Sequence, residues 1–136
     1  NLYGPFLLTR EISKIMKKNK YGRIVNIASI FGVISREKRA AYSSTKSGLI
    51  GLTKATAHDL AKDNILVNSI SPGFINTELT KNILGEKSMK EISSSIPLKR
   101  LGDSDEIAKL VLFLTSDQNT YITGENIIID GGYTIA

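Results

Sequence analysis

The chain has 136 residues, 41% hydrophobic and 23% charged, a composition that suits one folded domain and excludes a disordered segment. Eighteen Lys and Arg against 13 Asp and Glu leave a formal charge of +5, while zero Cys and the single His58 exclude disulfides, thiol chemistry and a histidine-rich metal site. No uncharged stretch reaches the roughly 18 apolar residues of a membrane span, and no basic, then apolar, leader opens the chain. The first residue is Asn1 rather than Met, so the true N-terminus is expected to precede it.

Leu7, Leu8, Ile12, Ile15 and Met16 recur at helical spacing and predict an amphipathic helix over residues 2–18, ending at a Lys-Asn-Lys turn. Arg23-Ile-Val-Asn-Ile-Ala-Ser29, bounded by Gly22 and Gly32, predicts a strand buried on both faces, and 65–70 and 126–130 repeat the pattern. The Ala-, Ser- and Leu-rich stretch 40–62 predicts a closely packed helix. Residues 78–101 are long and polar and carry Gly85 and Pro97; they predict a loop with one or two short helices, a candidate lid within the single domain 1–136. Asp103 with Glu106 three residues on marks the start of a helix reaching about Thr115. Helix and strand alternate along the chain. That alternation gives an α/β fold of three parallel strands joined by crossover helices.

The positive charge gathers partly in Lys17, Lys18, Lys20 and Arg23, and again in Arg36, Lys38 and Arg39. With no Trp, five scattered Tyr and no zinc or helix-turn-helix spacing, a solvated basic face accounts for it better than a nucleic-acid partner. A serine hydrolase would need a Gly-x-Ser-x-Gly elbow and a partner histidine; the elbow is absent, and His58 reads as a surface residue.

Tyr42 and Lys46 stand four apart at the start of the 40–62 helix, on one face and one turn from each other. A phenol alone is a poor base at neutral pH, but an ammonium beside it stabilises its anion, so the pair can donate and accept a proton. Ser29 falls at the C-terminal end of a strand, where open α/β sheets collect ligand-binding groups. Its hydroxyl could hold a substrate oxygen whose proton Tyr42 handles, or simply cap a turn.

Seven segments occur in order: Asn1-Leu-x-Gly-Pro-Phe, Ile24-Val-Asn-Ile-Ala-Ser29, Tyr42-Ser-Ser-Thr-Lys46-Ser-Gly48, Val67-Asn-x-Ile-x-Pro-Gly73, Pro97-Leu-x-Arg-Leu-Gly102, Ile122-Thr-Gly124 and Ile129-Asp-Gly-Gly132. Together they resemble the short-chain dehydrogenase/reductases, specifically the C-terminal half of a doubly wound Rossmann fold. The resemblance implies an NAD- or NADP-dependent oxidoreductase that interconverts a secondary alcohol and a ketone. It casts Tyr42 as general acid/base, Lys46 as its electrostatic partner and holder of the nicotinamide ribose, Ser29 as the polarising hydroxyl, and Asn1 as holder of a relay water. Pro72, Gly73, Ile75 and Thr77 would cover the nicotinamide, with the Ile75 backbone and the Thr77 hydroxyl toward its carboxamide. The family's Gly-rich phosphate loop and the residue that selects NAD or NADP are expected before Asn1, so the chain by itself is expected to hold either dinucleotide weakly. The resemblance further implies a small-molecule carbonyl or alcohol substrate and a homodimer or homotetramer formed through the 2–18 and 40–62 helices; the compartment, with zero Cys, reads as cytoplasmic by default. It is closest in pattern to the 3-oxoacyl-carrier-protein reductases. Of two positions where these often use basic residues to dock the acidic carrier, the first falls on Lys20 and the second on Asp63. A sugar or nucleotide-sugar dehydrogenase is therefore the alternative, and an inactive fragment the other. The charged stretch Ser35-Arg-Glu-Lys-Arg39 borders the expected substrate mouth, either as a solvated loop or to attract an anionic substrate.

Overall fold

The computed structural model describes residues 1–136, the side chain of Leu84 apart. α1 (Tyr3–Asn19) runs into β1 (Gly22–Ile27); a 3₁₀ turn (Ile30–Gly32) leads to α2 (Ala40–Leu60) and, after a second 3₁₀ turn (Ala61–Asp63), to β2 (Ile65–Pro72). α3 (Glu78–Ser95) and α4 (Ser104–Thr115) then precede β3 (Asn126–Ile129) and a last 3₁₀ turn (Tyr133–Ile135). The three strands form one parallel sheet in the order β1-β2-β3, with Ile24 opposite Val67 and Ile70 opposite Ile127. The α/β class and the parallel topology expected from the alternation are those observed.

On one face of the sheet Ile65 and Val67 are fully buried against Ala57 and Leu60 of α2, with Met16 of α1 and Ile24 of β1 packed beside them. Each such aliphatic side chain contributes about 1.5–3 kcal/mol when fully removed from water. Asn26 lies on this apolar face without penalty because its amide donates to Thr53 Oγ1 at 2.9 Å, and Thr53 in turn donates to the Leu49 carbonyl at 2.9 Å. This chain of bonds fixes the lengthwise position of α2 against β1. On β2, Asn68 donates to the Ile122 carbonyl and accepts from the Glu125 amide, tying the 122–125 loop to the sheet.

α1 stops where predicted, at Lys20 in the left-handed region (φ 50°), with Lys17 and Lys18 placed favourably in its last turn. α4 starts as predicted: the Asp103 side chain caps the Glu106 amide while Glu106 reaches back to the Asp103 amide.

Four expectations change. The strand expected over 23–29 ends at Ile27: the Ala28 amide still bonds the Ile70 carbonyl, but Ser29 has left the ladder to begin the 3₁₀ turn. The strand expected over 126–130 stops at Ile129, because both Asp130 carboxylate oxygens are taken by the Gly132 and Thr134 amides in a turn with Gly131 and Gly132 at positive φ. Only β2 is buried along nearly its whole length; β1 and β3 have one neighbour each, and Ile27 and Ile128 are exposed. Residues 78–101, expected to be mostly loop, are helical through Ser95 and interrupted at Gly85 (φ 70°, ψ 165°). That helix is mostly exposed, so no single apolar stripe marked it in the sequence; Thr77 starts it by accepting from the Thr80 amide at 3.1 Å. Among the described residues no helix is long and apolar enough to cross a membrane.

Candidate active site

The residues singled out in the sequence converge at the C-terminal ends of β1 and β2. Ser29, 7% exposed, has extended backbone and caps the 3₁₀ turn, its Oγ accepting from the Phe31 amide at 3.1 Å. That bond uses an acceptor lone pair, so the hydroxyl proton has no recipient among the described residues and is available to a ligand oxygen. The Phe31 ring meets the Tyr42 ring edge to face, with centroids 6.4 Å apart. Phe31 thus connects the serine and the tyrosine, one through its amide and the other through its ring.

Tyr42 occupies the first turn of α2, partly open to solvent, and Lys46 lies one turn further on the same face with its Nζ 5.7 Å from the Tyr42 ring centroid. Lys46 Nζ also donates to the carbonyl of Ile27 at 2.8 Å, a carbonyl on the edge of β1 that faces away from β2. One ammonium hydrogen is thereby committed and two remain. Partial burial pushes the Lys46 pKa down from its ordinary value. Gly32 allows this approach: a Cβ there would lie 2.9 Å from the Lys46 backbone carbon and 3.0 Å from its carbonyl oxygen.

Asn1 is exposed and lines, together with Lys46 and Ile27, a groove of about 530 Å³ along the free edge of β1.

After β2, Pro72 leads into Gly73, whose hydrogen faces Asp130 so closely that a Cβ would sit 2.7 Å from the aspartate Cβ. The segment then runs beside Gly102: the Gly102 amide donates to the Phe74 carbonyl at 2.9 Å and the Asn76 amide donates to the Gly102 carbonyl at 2.8 Å. Because amides alternate along an extended segment, the Ile75 N–H is turned away from Gly102, while its carbonyl accepts from Thr77. Thr77 Oγ1 caps α3 and shares a hydrogen bond with the Thr80 hydroxyl at 2.9 Å. Arg100 holds the far side of this bridge by a two-pronged bond to Glu106 at 2.7 and 2.8 Å. The Arg100 guanidinium, with the Asp103 amide, pulls the Glu106 carboxyl down to about 2.

Sequence reasoning missed the aromatic series that organises the site. Phe31 also meets Phe74 at 6.1 Å, and Phe74 meets Tyr133 at 5.1 Å, both edge to face. These residues come from three separate segments, and no spacing along the chain signals their contact. Ser29 followed two residues later by an aromatic was the one available hint.

A serine, a tyrosine and a lysine thus lie near the carboxyl end of β1 in a parallel sheet, the end at which open α/β sheets bind their ligands. Residues 1–134 match the family model described as Enoyl-(Acyl carrier protein) reductase, and the chain belongs to that family, within the short-chain dehydrogenase/reductases. It is 46% identical over 132 residues to the 3-oxoacyl-[acyl-carrier-protein] reductase FabG of Aquifex aeolicus, covering 97% of this chain and 53% of that protein. A solved 4-hydroxyisoleucine dehydrogenase complexed with NADH superposes on the whole chain with a TM-score of 0.93 at 45% identity, over 57% of its own length. A gluconate 5-dehydrogenase from Burkholderia cenocepacia J2315, in complex with NADP and tartrate, superposes on 96% of the chain with a TM-score of 0.90 at 29% identity, over 52% of its own. The chain spans about half the length of the relatives it matches.

Proposed function

We propose that the protein carrying this chain is an NAD- or NADP-dependent oxidoreductase that interconverts a secondary alcohol and a ketone. The observation that carries the reading is the Lys46 ammonium held over the Tyr42 ring, with the unspent Ser29 hydroxyl tied to Phe31, whose ring meets Tyr42. When bound, the nicotinamide supplies or takes up the hydride. Tyr42 gives its phenolic proton to the substrate oxygen in reduction, or accepts the hydroxyl proton in oxidation. The Lys46 charge stabilises the phenolate left behind, and its two free hydrogens suit the paired hydroxyls of the cofactor ribose. Ser29 donates to the same substrate oxygen and orients it. Pro72, Gly73, Ile75 and Thr77 would hold the nicotinamide, the unpaired Ile75 amide and the Thr77 hydroxyl being the groups that would bond its carboxamide. Asn1, facing the groove shared with Lys46, holds water that returns protons to the lysine.

The resemblance to 3-oxoacyl-carrier-protein reductases supports an acyl thioester as substrate. A free sugar or nucleotide-sugar derivative is favoured by one observation: Lys20 donates to Asp63, so the two positions available for docking an acidic carrier neutralise each other. The protein also assembles with copies of itself through α1 and α2. Tyr3 and Phe6 are exposed on α1, and an open apolar groove of about 740 Å³ runs between them and Gly51, Leu52 and Ala55 of α2.

The decisive experiment is Tyr42→Phe, assayed with NADH and NADPH on ketones and with the oxidised cofactors on alcohols. Turnover should fall by about 10²–10⁴-fold, the range carried by general acid/base groups, with the melting temperature unchanged. Retention of more than about a tenth of the rate would refute the assignment.

A further inference from the structure

The function just proposed leaves two arginines unused. A turn at Glu37–Lys38, with Lys38 in the left-handed region (φ 61°), sends Arg36 and Arg39 back over the same ring: their guanidinium carbons lie 5.3 and 5.9 Å from the Phe31 centroid. Two like charges stacked on one ring repel each other. Among the described residues neither has a carboxylate within ion-pair distance; Glu37, next in the chain, pairs with Lys38 instead. Both arginines line a cavity of about 250 Å³ whose other walls include Phe74, Ile75 and Thr77, with Leu79 and Ile83 at the start of α3. No acidic side chain lines it among the described residues. Leu79 and Ile83 are large apolar groups left largely exposed, which gives the cavity an apolar wall opposite its cationic one. Phe31 also contacts Tyr42, edge to face.

We propose that Arg36 and Arg39 form an anion-recognition site that selects substrates bearing a carboxylate or phosphoryl group a short distance from the reacting carbon. This rests on the oxidoreductase reading of Tyr42 and names the substrate class for that same site. The physical case has three parts. Two guanidiniums present planar forks suited to carboxylate or phosphate oxygens. Both guanidiniums already sit against the one Phe31 ring, so less rotamer freedom remains to be lost on binding. An incoming anion relieves the repulsion between the two cations, which a neutral substrate cannot do. Because Phe31 contacts both Tyr42 and the two arginines, an anion bound here leaves the rest of a small substrate near the phenol.

The test compares acetoacetate, 2-oxopropylphosphonate and the neutral methyl acetoacetate on the full protein in low salt. Calorimetric titration with oxidised cofactor present measures binding without turnover. The wild type should bind at least one anionic ketone about tenfold or more tightly than the ester. Arg36→Gln with Arg39→Gln should erase that preference, leave ester affinity within about threefold and keep the melting temperature; Arg36→Lys with Arg39→Lys should keep part of the preference, since charge remains while the planar fork is lost. Which anion wins decides between carboxylate and phosphoryl recognition. A wild type that binds neither anion more tightly than the ester overturns the proposal, as does a glutamine pair that weakens all three ligands equally or none. Failure of the oxidoreductase reading shows elsewhere: no ketone would be reduced with either cofactor, while the binding comparison would still decide the role of the arginines.

Discussion

Replacing Gly32 by alanine should damage catalysis through packing alone. The new Cβ would start 2.9 Å from the Lys46 backbone carbon, 3.0 Å from its carbonyl oxygen and 2.9 Å from Ile50 Cδ1. Carbon atoms in contact prefer about 3.5–4.0 Å, so roughly 0.6 Å must be found. Ile50 can rotate away, but the Lys46 carbonyl belongs to a helix whose next residue is also tied here, Ser47 Oγ donating to the Gly32 carbonyl at 2.8 Å. The first turns of α2 must therefore tilt away from the 3₁₀ turn, carrying Tyr42 and Lys46 away from Ser29. Overpacking of this kind costs about 1–3 kcal/mol, and displacement of a reacting group by about 1 Å costs on the order of 10²-fold in rate. We expect kcat to fall about tenfold or more, with a melting temperature several degrees lower, measured by steady-state reduction of a ketone and by thermal circular dichroism. Because the added methyl touches neither substrate nor cofactor, wild-type kcat in a folded Gly32→Ala protein would show that the 3₁₀ turn does not set the spacing of the site.

Two further outcomes follow from the same geometry. The Glu106 carboxyl titrates near 2 when folded against 4.5 for its ordinary value, so the stability it contributes is complete above about pH 4.5 and disappears as pH falls toward 2. Glu106→Gln should lower the melting temperature at pH 7 and bring the two proteins together only as pH approaches 2, and melting curves that stay parallel from pH 7 to that point would contradict the role of Arg100 and the Asp103 amide. Phe6→Glu, which sets a charge into the apolar groove between α1 and α2, should reduce the assembly seen by sedimentation velocity; a wild type that sediments as a monomer at micromolar concentration would remove the proposed interface.

Local signals in the sequence determined much of this protein. The alternation of 3.6-residue and β-branched patterns specified the α/β class, because periodicity reports which side of each element meets the core. The Asp103–Glu106 box and the Lys-Asn-Lys stop located helix ends, since capping is satisfied by residues within one turn. Tyr42 and Lys46 could be paired in advance for the same reason: four residues on a helix fix a distance. Tertiary structure decided whatever depended on contacts between distant segments. Ser29 is set at a turn rather than on the ladder because the strand ends two residues earlier, and the Lys46 ammonium is shared with the Ile27 carbonyl, a partner 19 positions away. The polar face of α3 concealed a helix that Thr77 caps and Gly85 interrupts. Above all, the contact of Arg36 and Arg39 with the Phe31 ring, and the edge-to-face contacts of Phe31 with Tyr42 and Phe74, join residues with no shared period. A pattern read along the chain records which faces are apolar, but not which aromatic ring each charged side chain meets once the loops close over the ends of the strands.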